Sequence, residues 1–196
     1  MNKVRRIEDK QEDILVFREG RILYFFDEVD AYSVCEAIRY LDQMEVESNK
    51  KDITIKISSG GGSAYDGLAL YDRIRQSSCN IITYGSGLVA SIALLLFLSG
   101  DERILTENTR LLSHQVSVDD FSGRASSFKL EAKEVEDLNE TLTSIIAERT
   151  GQAEKKIRND QLLGDYWINI DRAKAEGYAD TIIKHTRTYR KKKKGR

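Results

Sequence analysis

Ser91, His114 and Asp165 occur in this order along the chain, and together these residue types can perform nucleophilic catalysis. A serine hydroxyl is a poor nucleophile near neutral pH, so it needs a neutral imidazole to accept its proton and a carboxylate to orient that imidazole. The chain has only two histidines, and His185 lies just before a charged tail, so His114 is the candidate base. The three residues predict acyl transfer through a covalent serine intermediate.

A glycine run ahead of these residues could bind the charge that such a reaction develops. Gly60, Gly61 and Gly62 follow a predicted strand, where glycine lets the backbone approach an extended peptide or offer amides to an oxyanion. No Gly-Lys-Ser or Gly-Lys-Thr follows, as a Walker loop requires, and the spacing of a dinucleotide fingerprint is also missing. The sequence therefore contains no ATP-binding motif of its own.

Each of these features also has a plain structural interpretation. Ser91 could be a helix cap, His114 a structural histidine and Asp165 a surface carboxylate, while the glycines could form a flexible turn or a phosphate cradle. Ser91 also lies outside the G-x-S-x-G elbow of the α/β-hydrolases. The order and the surroundings of the residues carry more weight than any one of them.

The composition indicates one soluble globular domain. The chain has 196 residues, of which 40% are hydrophobic, and a net charge of −1. Residues 187–196 hold seven Lys or Arg and no acid, which leaves 24 basic and 32 acidic residues elsewhere. A basic run can bind nucleic acid, but blocks of like charge are more often solvated. We therefore expect residues 186–196 to be a solvated tail and expect no nucleic-acid partner.

Several features bear on the cellular compartment. Cys35 and Cys79 are too few for a disulfide framework or a zinc site, and both fit as small core residues in a reducing compartment. Residues 1–17 do not match a signal peptide, and we expect them to be flexible. The longest apolar run, Leu88–Leu98, is about half of the roughly 20 residues needed to cross a bilayer. These features predict a cytoplasmic protein without membrane contact, metal or cofactor.

Predicted strands and helices alternate along most of the chain. Strands are predicted at 21–27, 53–57 and 80–84, and each is followed by a helix. The first helix begins after Asp30, an N-cap residue, and the third follows a predicted turn at Gly85-Ser86-Gly87. The later elements are short strands at 103–106 and 111–113, a helix at 127–150 ended by Gly151, and a short helix capped by Asn169. This alternation predicts an α/β fold with a largely parallel sheet.

Four segments make the chain resemble the ClpP family, the proteolytic subunits of Clp proteases, over about residues 18–185. The segments read ITIKISSGGG, GSGLVASIALLLFLSG, TENTRLLSHQ, and DYW followed by AKAEGYADTI. The resemblance implies the ClpP/crotonase-like fold of stacked βαβ units with a protruding handle. The predicted strand segment Val118–Ala125 and the long helix after it match that handle.

The resemblance also implies a role for each candidate residue, position by position. The roles are nucleophile for Ser91, base for His114, orienting acid for Asp165, oxyanion-hole backbone amides for Gly62 and Ile92, and substrate-strand binding for Gly60, Gly61 and Gln115.

An assembly and a partner follow from the same resemblance. Family members form two stacked heptameric rings whose active sites face an internal chamber, and a separate AAA+ unfoldase unfolds and threads their substrates. The missing nucleotide motif agrees with that division of labour. The implied function is a serine endopeptidase that cleaves unfolded polypeptides in ATP-dependent proteolysis and protein quality control.

The chain departs from the family pattern at five positions. Gly60 and Val116 replace two usual prolines, which removes φ restraint beside the substrate-binding loops. Gly164 replaces the arginine that commonly precedes the catalytic aspartate and helps couple ring contact to activity. Asp119 and Asp120 replace handle glycines. We expect these changes to affect ring–ring assembly while the triad residues stay in place.

Three other functions are compatible with the sequence. The chain could be a phage-type capsid-maturation peptidase that works without an unfoldase, or a noncatalytic ring subunit. It could also be an acyl-CoA enzyme on the same crotonase-like scaffold, which uses two backbone amides as an oxyanion hole. That last chemistry would not require Ser91 or His114.

Overall fold

The computed structural model describes residues 15–118, 122–162 and 164–185. Its elements follow in the order β1 (Val16–Glu19), β2 (Ile22–Phe25), α1 (Ala31–Glu47), β3 (Ile53–Ser59), α2 (Ala64–Arg75), β4 (Ile81–Ala90), α3 (Ile92–Leu98), β5 (Glu102–Thr106), β6 (Arg110–Ser113), α4 (Ala125–Thr150), α5 (Glu154–Leu162), β7 (Tyr166–Ile168), α6 (Ile170–Ala175) and β8 (Thr181–Ile183).

The strands of the described residues form one sheet with the main path β1-β2-β3-β4-β5-β8. The path from β2 to β8 is parallel throughout, whereas β1 pairs with β2 as an antiparallel hairpin. The predicted α/β fold with a largely parallel sheet is therefore confirmed. The sequence analysis missed β1, which begins at Val16 and crosses the boundary predicted between residues 17 and 18. A four-residue edge strand carries too little alternation to be recognised.

Strand β4 is the point where the sheet branches. Its first half pairs with β5 and its second half pairs with β6. Ile57 of β3 lies opposite Gly85, but Ser59 lies opposite Val89, so β4 carries extra residues between the two pairs. The prediction that Gly85-Ser86-Gly87 turns the strand into a helix is wrong, because these residues form an irregular stretch inside β4. Glycine within a strand commonly marks such a bulge.

The predicted helix boundaries agree closely with the structure. The Asp30 carboxylate accepts a hydrogen bond from the Ser33 N–H at 2.8 Å, and the Ser33 hydroxyl accepts one from the Asp30 N–H at 3.0 Å. This capping box starts α1. The long predicted helix is α4, and it ends at Gly151 with a φ of 74°, the left-handed conformation that glycine adopts most readily. Asn169 caps α6 as predicted.

Helices α1, α2 and α3 form a layer against the sheet. Strand β3 alternates between buried and half-buried residues, with Ile53, Ile55 and Ile57 on the buried side. Helix α3 is buried along its whole length, which explains why its sequence is apolar all round. Helix α2 approaches it closely at Gly67, where any side chain would collide with Ile92.

The helix of the predicted handle is confirmed, and the centre of the predicted strand segment, residues 119–121, lies outside the described residues. Helix α4 runs for 26 residues, and its first turns are exposed while its last turns are buried against α3 and α5. Val118 and residues 122–124 belong to no strand, and Ala125 already begins α4. Asp119 and Asp120 lie outside the described residues.

Two further expectations need correction. Cys35 is exposed on α1, so only Cys79 is a buried core residue. The sequence analysis also missed α5, β7 and β8, which together with α6 form the C-terminal part of the fold. Among the described residues, no helix is long and apolar enough to span a bilayer.

Candidate active site

The branch at β4 brings the serine and the histidine to the same end of the sheet. Ser91 follows the last residue of β4, and His114 follows the last residue of β6. The two strands are parallel, with Ala90 opposite Leu112. The Ser91 N–H donates a hydrogen bond to the Leu112 carbonyl at 3.0 Å, which fixes the backbone of the candidate nucleophile to the strand that carries the candidate base.

The aspartate reaches the same end through β7, which pairs with β6 in the antiparallel direction. Ser113 lies opposite Tyr166 in that pairing. Asp165 precedes β7 and His114 follows β6, so one further step of the same register sets these two residues opposite each other. The candidate acid, base and nucleophile therefore lie at the ends of three neighbouring strands.

Ser91 has an unusual backbone conformation, with a φ of 55° and a ψ of −133°. It is the one non-glycine residue with positive φ in the part of the chain that the structure describes. Such a conformation costs about 1 to 3 kcal/mol and persists only where the surroundings impose it. Here the sharp turn from β4 into α3 imposes it, and the half-buried hydroxyl makes no cap hydrogen bond. Ser91 is therefore the N-cap residue of α3 by position, as one interpretation predicted, but its side chain does not cap the helix.

The glycine run packs directly against this turn. Gly61 has a φ of 102°, and an added Cβ would lie 2.6 Å from the Ser91 Cβ and 2.9 Å from the Ala90 carbonyl oxygen. Gly62 has a φ of 148°, and a side chain there would collide with Val29. Both positions therefore need glycine. Gly60 has open space around it and no positive φ.

Two backbone amides beside Ser91 have no acceptor among the described residues. The Val29 N–H donates to the Gly61 carbonyl at 2.8 Å, and the Ser63 N–H donates to the Val29 carbonyl at 2.7 Å. In this parallel bridge the Gly62 N–H points away from Val29. Ile92 is the first residue of α3, so its N–H has no carbonyl within the helix. The Gly62 and Ile92 amides thus have no acceptor in the described chain, which is compatible with the oxyanion role that the family resemblance implies for them.

His114 is half-buried and contacts the carbonyl of the residue that follows it. Its Nδ1 lies 2.6 Å from the Gln115 carbonyl oxygen. A carbonyl oxygen can only accept, so this contact requires the proton on Nδ1 and leaves Nε2 of the neutral ring as an acceptor. A general base that takes a proton from serine needs this tautomer.

Asp165 is exposed, and its side chain does not reach the histidine. Among the described residues, no hydrogen bond joins Ser91 to His114 or His114 to Asp165. The Gln115 carbonyl occupies the ring nitrogen that an orienting carboxylate would use. The structure thus brings the three backbones together without linking their side chains.

A cavity of about 350 Å³ opens beside Ser91. Its polar side includes Ser91, His114, Gly62 and Gln115, and the facing wall comes from Val135, Leu138 and Leu142 of α4. Gly60 and Gly61 lie outside its lining. An apolar cavity with a few convergent polar groups is typical of a binding site. In the described part of the chain, no group of three or more His, Cys, Asp or Glu side chains could hold a metal ion.

The segment behind Asp165 is anchored by Tyr166. The Tyr166 hydroxyl donates to the Glu176 carboxylate at 3.0 Å, and the side chains of Lys156 and Arg172 lie over its ring. Burial raises the pKa of Tyr166, and the hydrogen bond to Glu176 raises it further. The anchor fixes the start of β7 while Asp165 itself remains in solvent.

Sequence reasoning missed two carboxamide side chains beside His114. Gln161 of α5 donates from Nε2 to the Ser113 hydroxyl at 2.8 Å. Asn139 of α4 accepts from the Val116 N–H at 2.8 Å. The second had a signal in the sequence, because Asn139 lies at helical spacing in the apolar stripe of α4. The first had none, because α5 was not predicted.

Comparison with known proteins points to one family. The sequence profile described as Clp protease matches residues 6–186. The chain is 31% identical over 169 residues to the ATP-dependent Clp protease proteolytic subunit 1 of Bifidobacterium longum, covering 85% of this chain and 72% of that protein. It is 34% identical over 170 residues to the proteolytic subunit 2 of Prochlorococcus marinus, covering 84% and 82%.

A solved structure gives the same result for the fold. A mutant ClpP1 from Listeria monocytogenes superimposes with a TM-score of 0.77 and 28% sequence identity, over 85% of this chain and 93% of that one. The predicted ClpP/crotonase-like fold is therefore confirmed.

Proposed function

The chain belongs to the Clp protease family, and from that premise we propose that it is a serine endopeptidase that hydrolyses peptide bonds of unfolded polypeptides. Ser91 attacks the peptide carbonyl, and Nε2 of His114 accepts the hydroxyl proton and later returns it to the leaving amine. The Gly62 and Ile92 amides bind the oxyanion of the tetrahedral intermediate. Water then hydrolyses the acyl-enzyme by the same route.

One observation carries this proposal above all. The positive φ of Ser91 turns it out of β4 beside the cavity and beside two amides that have no acceptor among the described residues. Backbone strain of this kind concentrates at functional sites, where the surrounding structure imposes it. The available Nε2 of His114 supports the same chemistry.

Asp165 completes the mechanism when its carboxylate replaces the Gln115 carbonyl at Nδ1 of His114. The register of β6 and β7 supports this role, since it sets the two residues opposite each other. We assign the closing step to assembly, because Asp165 is exposed in the single chain and an exposed side chain keeps several rotamers until another surface covers it. The exposed Leu130 on α4 supports a contact with another subunit, and we propose for this contact the stacked heptameric rings that the family resemblance implies.

The cellular context of the proposal comes from the relatives. Their names describe ATP-dependent Clp protease proteolytic subunits, so we propose a cytoplasmic peptidase that receives substrates from a separate AAA+ unfoldase. Capture of such an ATPase by the intact protein supports this context. Capture of a phage capsid protein in its place would favour the capsid-maturation alternative.

Covalent labelling tests the activity directly. The purified protein, shown by scattering to be folded and oligomeric, is treated with a fluorophosphonate and weighed by intact-mass spectrometry beside Ser91→Ala. We expect about one adduct per chain in the wild type and none in the variant, with the same oligomer in both. An unlabelled wild type would contradict the proposal, as would an equally labelled variant.

A noncatalytic ring subunit is the second candidate function, and one observation favours it. The exposed Asp165 makes no hydrogen bond to His114 in the described chain. The same labelling experiment separates the two functions, because a noncatalytic subunit assembles without being acylated.

A further inference from the structure

The segment that carries His114 is held on both sides by carboxamide side chains. On the N-terminal side, Gln161 donates to the hydroxyl of Ser113 at 2.8 Å, and the two residues are 6% and 3% exposed. Breaking a hydrogen bond this deeply buried leaves an unsatisfied polar group and costs more than the bond itself contributes. Ser113 is therefore a fixed point immediately before the candidate base.

On the C-terminal side, the fixed point is Val116. Its N–H donates to the Oδ1 of Asn139 at 2.8 Å. Asn139 lies in the apolar stripe of α4 beside Val135 and Leu142, where asparagine is a weak helix former and an apolar residue would pack better. Its one hydrogen bond from the loop accounts for its presence there.

The two bonds come from different helices and reach opposite ends of the same short segment. Gln161 belongs to α5 and Asn139 belongs to α4. His114 lies between the two fixed points, while its own ring is bonded only to the carbonyl of Gln115 among the described residues. No carboxylate contacts the imidazole within the described chain, so the position of the ring depends on the backbone of this segment.

We infer that Asn139 and Gln161 are the positioning residues of His114, which hold the base against Ser91 through the backbone on both sides. The inference rests on the proposed function and deepens it. Neither residue contacts the reacting atoms. Each acts through the segment 113–116, and a displacement of about 1 Å in such a segment can cost on the order of 100-fold in rate.

Rates of fluorophosphonate labelling test this role. The variants Asn139→Leu and Gln161→Met remove the two hydrogen bonds while keeping similar volumes. We expect each to lower the second-order labelling rate by about tenfold or more. Glu140→Leu and Asn159→Met are matched controls, because they change exposed residues on the same helices. The controls should label at the wild-type rate.

Two further variants separate positioning from a loss of structure. Asn139→Asp keeps an acceptor for the Val116 N–H, so it should restore most of the rate that Asn139→Leu loses. Val116→Pro removes the N–H donor, so Asn139→Leu should cause no further loss in that background. The melting temperature of every variant is measured in parallel.

The possible outcomes distinguish the inference from its premise. The positioning role is supported if the labelling rate falls in Asn139→Leu and Gln161→Met, recovers in Asn139→Asp, and falls no further when Asn139→Leu is added to Val116→Pro. Lower melting temperatures with unchanged labelling rates would overturn it and leave the serine peptidase standing. An unlabelled wild type would overturn the proposed function itself.

Discussion

The serine side and the histidine–aspartate side of the candidate site are built in different ways. On the serine side, the positive φ of Ser91 and the close packing of Gly61 are set by backbone geometry inside the core. On the other side, His114 is half-buried and Asp165 is exposed, and no hydrogen bond joins them in the described chain. The backbone geometry of the serine side is thus fixed within one chain. On the histidine–aspartate side, strand pairing aligns the two backbones but leaves the side chains unconnected.

This difference reflects how each region is stabilised. A strand-to-helix turn packed against glycines restricts the backbone to one conformation, so the candidate nucleophile and the two candidate oxyanion amides are held in fixed positions. Side chains at exposed strand ends have several rotamers of similar energy, so their contacts form only when something covers them. The comparison yields three predictions, taken from the largest expected effect to the smallest.

Removing the Asp165 carboxylate tests whether it contacts His114 during catalysis. If Asp165 orients His114 in the working enzyme, Asp165→Asn should lower the rate of peptide hydrolysis by about 10³- to 10⁴-fold, because the imidazole loses its charged acceptor. Steady-state hydrolysis of an unstructured peptide measures this. Asp171→Asn, on the exposed face of α6, is the matched control. A rate within about threefold of wild type would make Asp165 a surface carboxylate.

Adding a methyl group at Gly61 tests whether the close packing of this residue against Ser91 leaves no room for a side chain. Gly61→Ala forces an alanine to a φ of 102° and places its Cβ 2.6 Å from the Ser91 Cβ. We expect the free energy of unfolding to fall by about 2 to 5 kcal/mol, from backbone strain and overpacking together. Urea unfolding followed by circular dichroism measures this loss.

Gly60→Ala provides the control for that change, since nothing lies within 4 Å of its added Cβ. Its free energy of unfolding should stay within about 1 kcal/mol of wild type. Equal losses in the two variants would show that the glycine run, and not the contact with Ser91, limits stability.

The smallest expected effect concerns the ion pair between Arg103 of β5 and Asp180, which ties the C-terminal segment to the sheet. The Asp180 carboxylate accepts hydrogen bonds from the Arg103 side chain at 2.9 and 3.0 Å and from its N–H at 2.8 Å. Burial alone would raise the pKa of Asp180, but these bonds outweigh it and hold the pKa below the ordinary value of 3.8. The carboxylate therefore contributes stability above pH 3.8, and this contribution is lost as the pH falls through its lower folded pKa.

Asp180→Asn should thus lower the free energy of unfolding at pH 7 by about 0.5 to 1 kcal/mol, a value limited by the exposure of the carboxylate. At about pH 3 the difference from wild type should shrink. Urea titrations at both pH values measure the change. An equal loss at the two pH values would show that shape, and not charge, holds this segment.

The sequence predicts correctly those features that depend on residues close together in the chain, and it fails where distant strands decide the structure. The alternation of Ile53, Ile55 and Ile57, the Asp30 cap and the Gly151 end are set by near neighbours, and all were predicted correctly. The prediction of a turn at Gly85-Ser86-Gly87 is wrong, because glycine occurs both in turns and in the bulges of strands. Only the pairing of β4 with two different strands decides between them.

The candidate site divides along the same line. The sequence predicts Ser91, His114 and Asp165 as nucleophile, base and acid from their residue types and order, and the family resemblance adds the Gly62 and Ile92 amides as the oxyanion hole. It could not show that Ser91 carries the strained φ, that Asp165 faces solvent, or that Gln161 and Asn139 hold the residues beside His114. Those two hydrogen bonds join residues 48 and 23 positions apart. Contacts over such separations depend on how helices pack against a sheet, which only the tertiary structure decides.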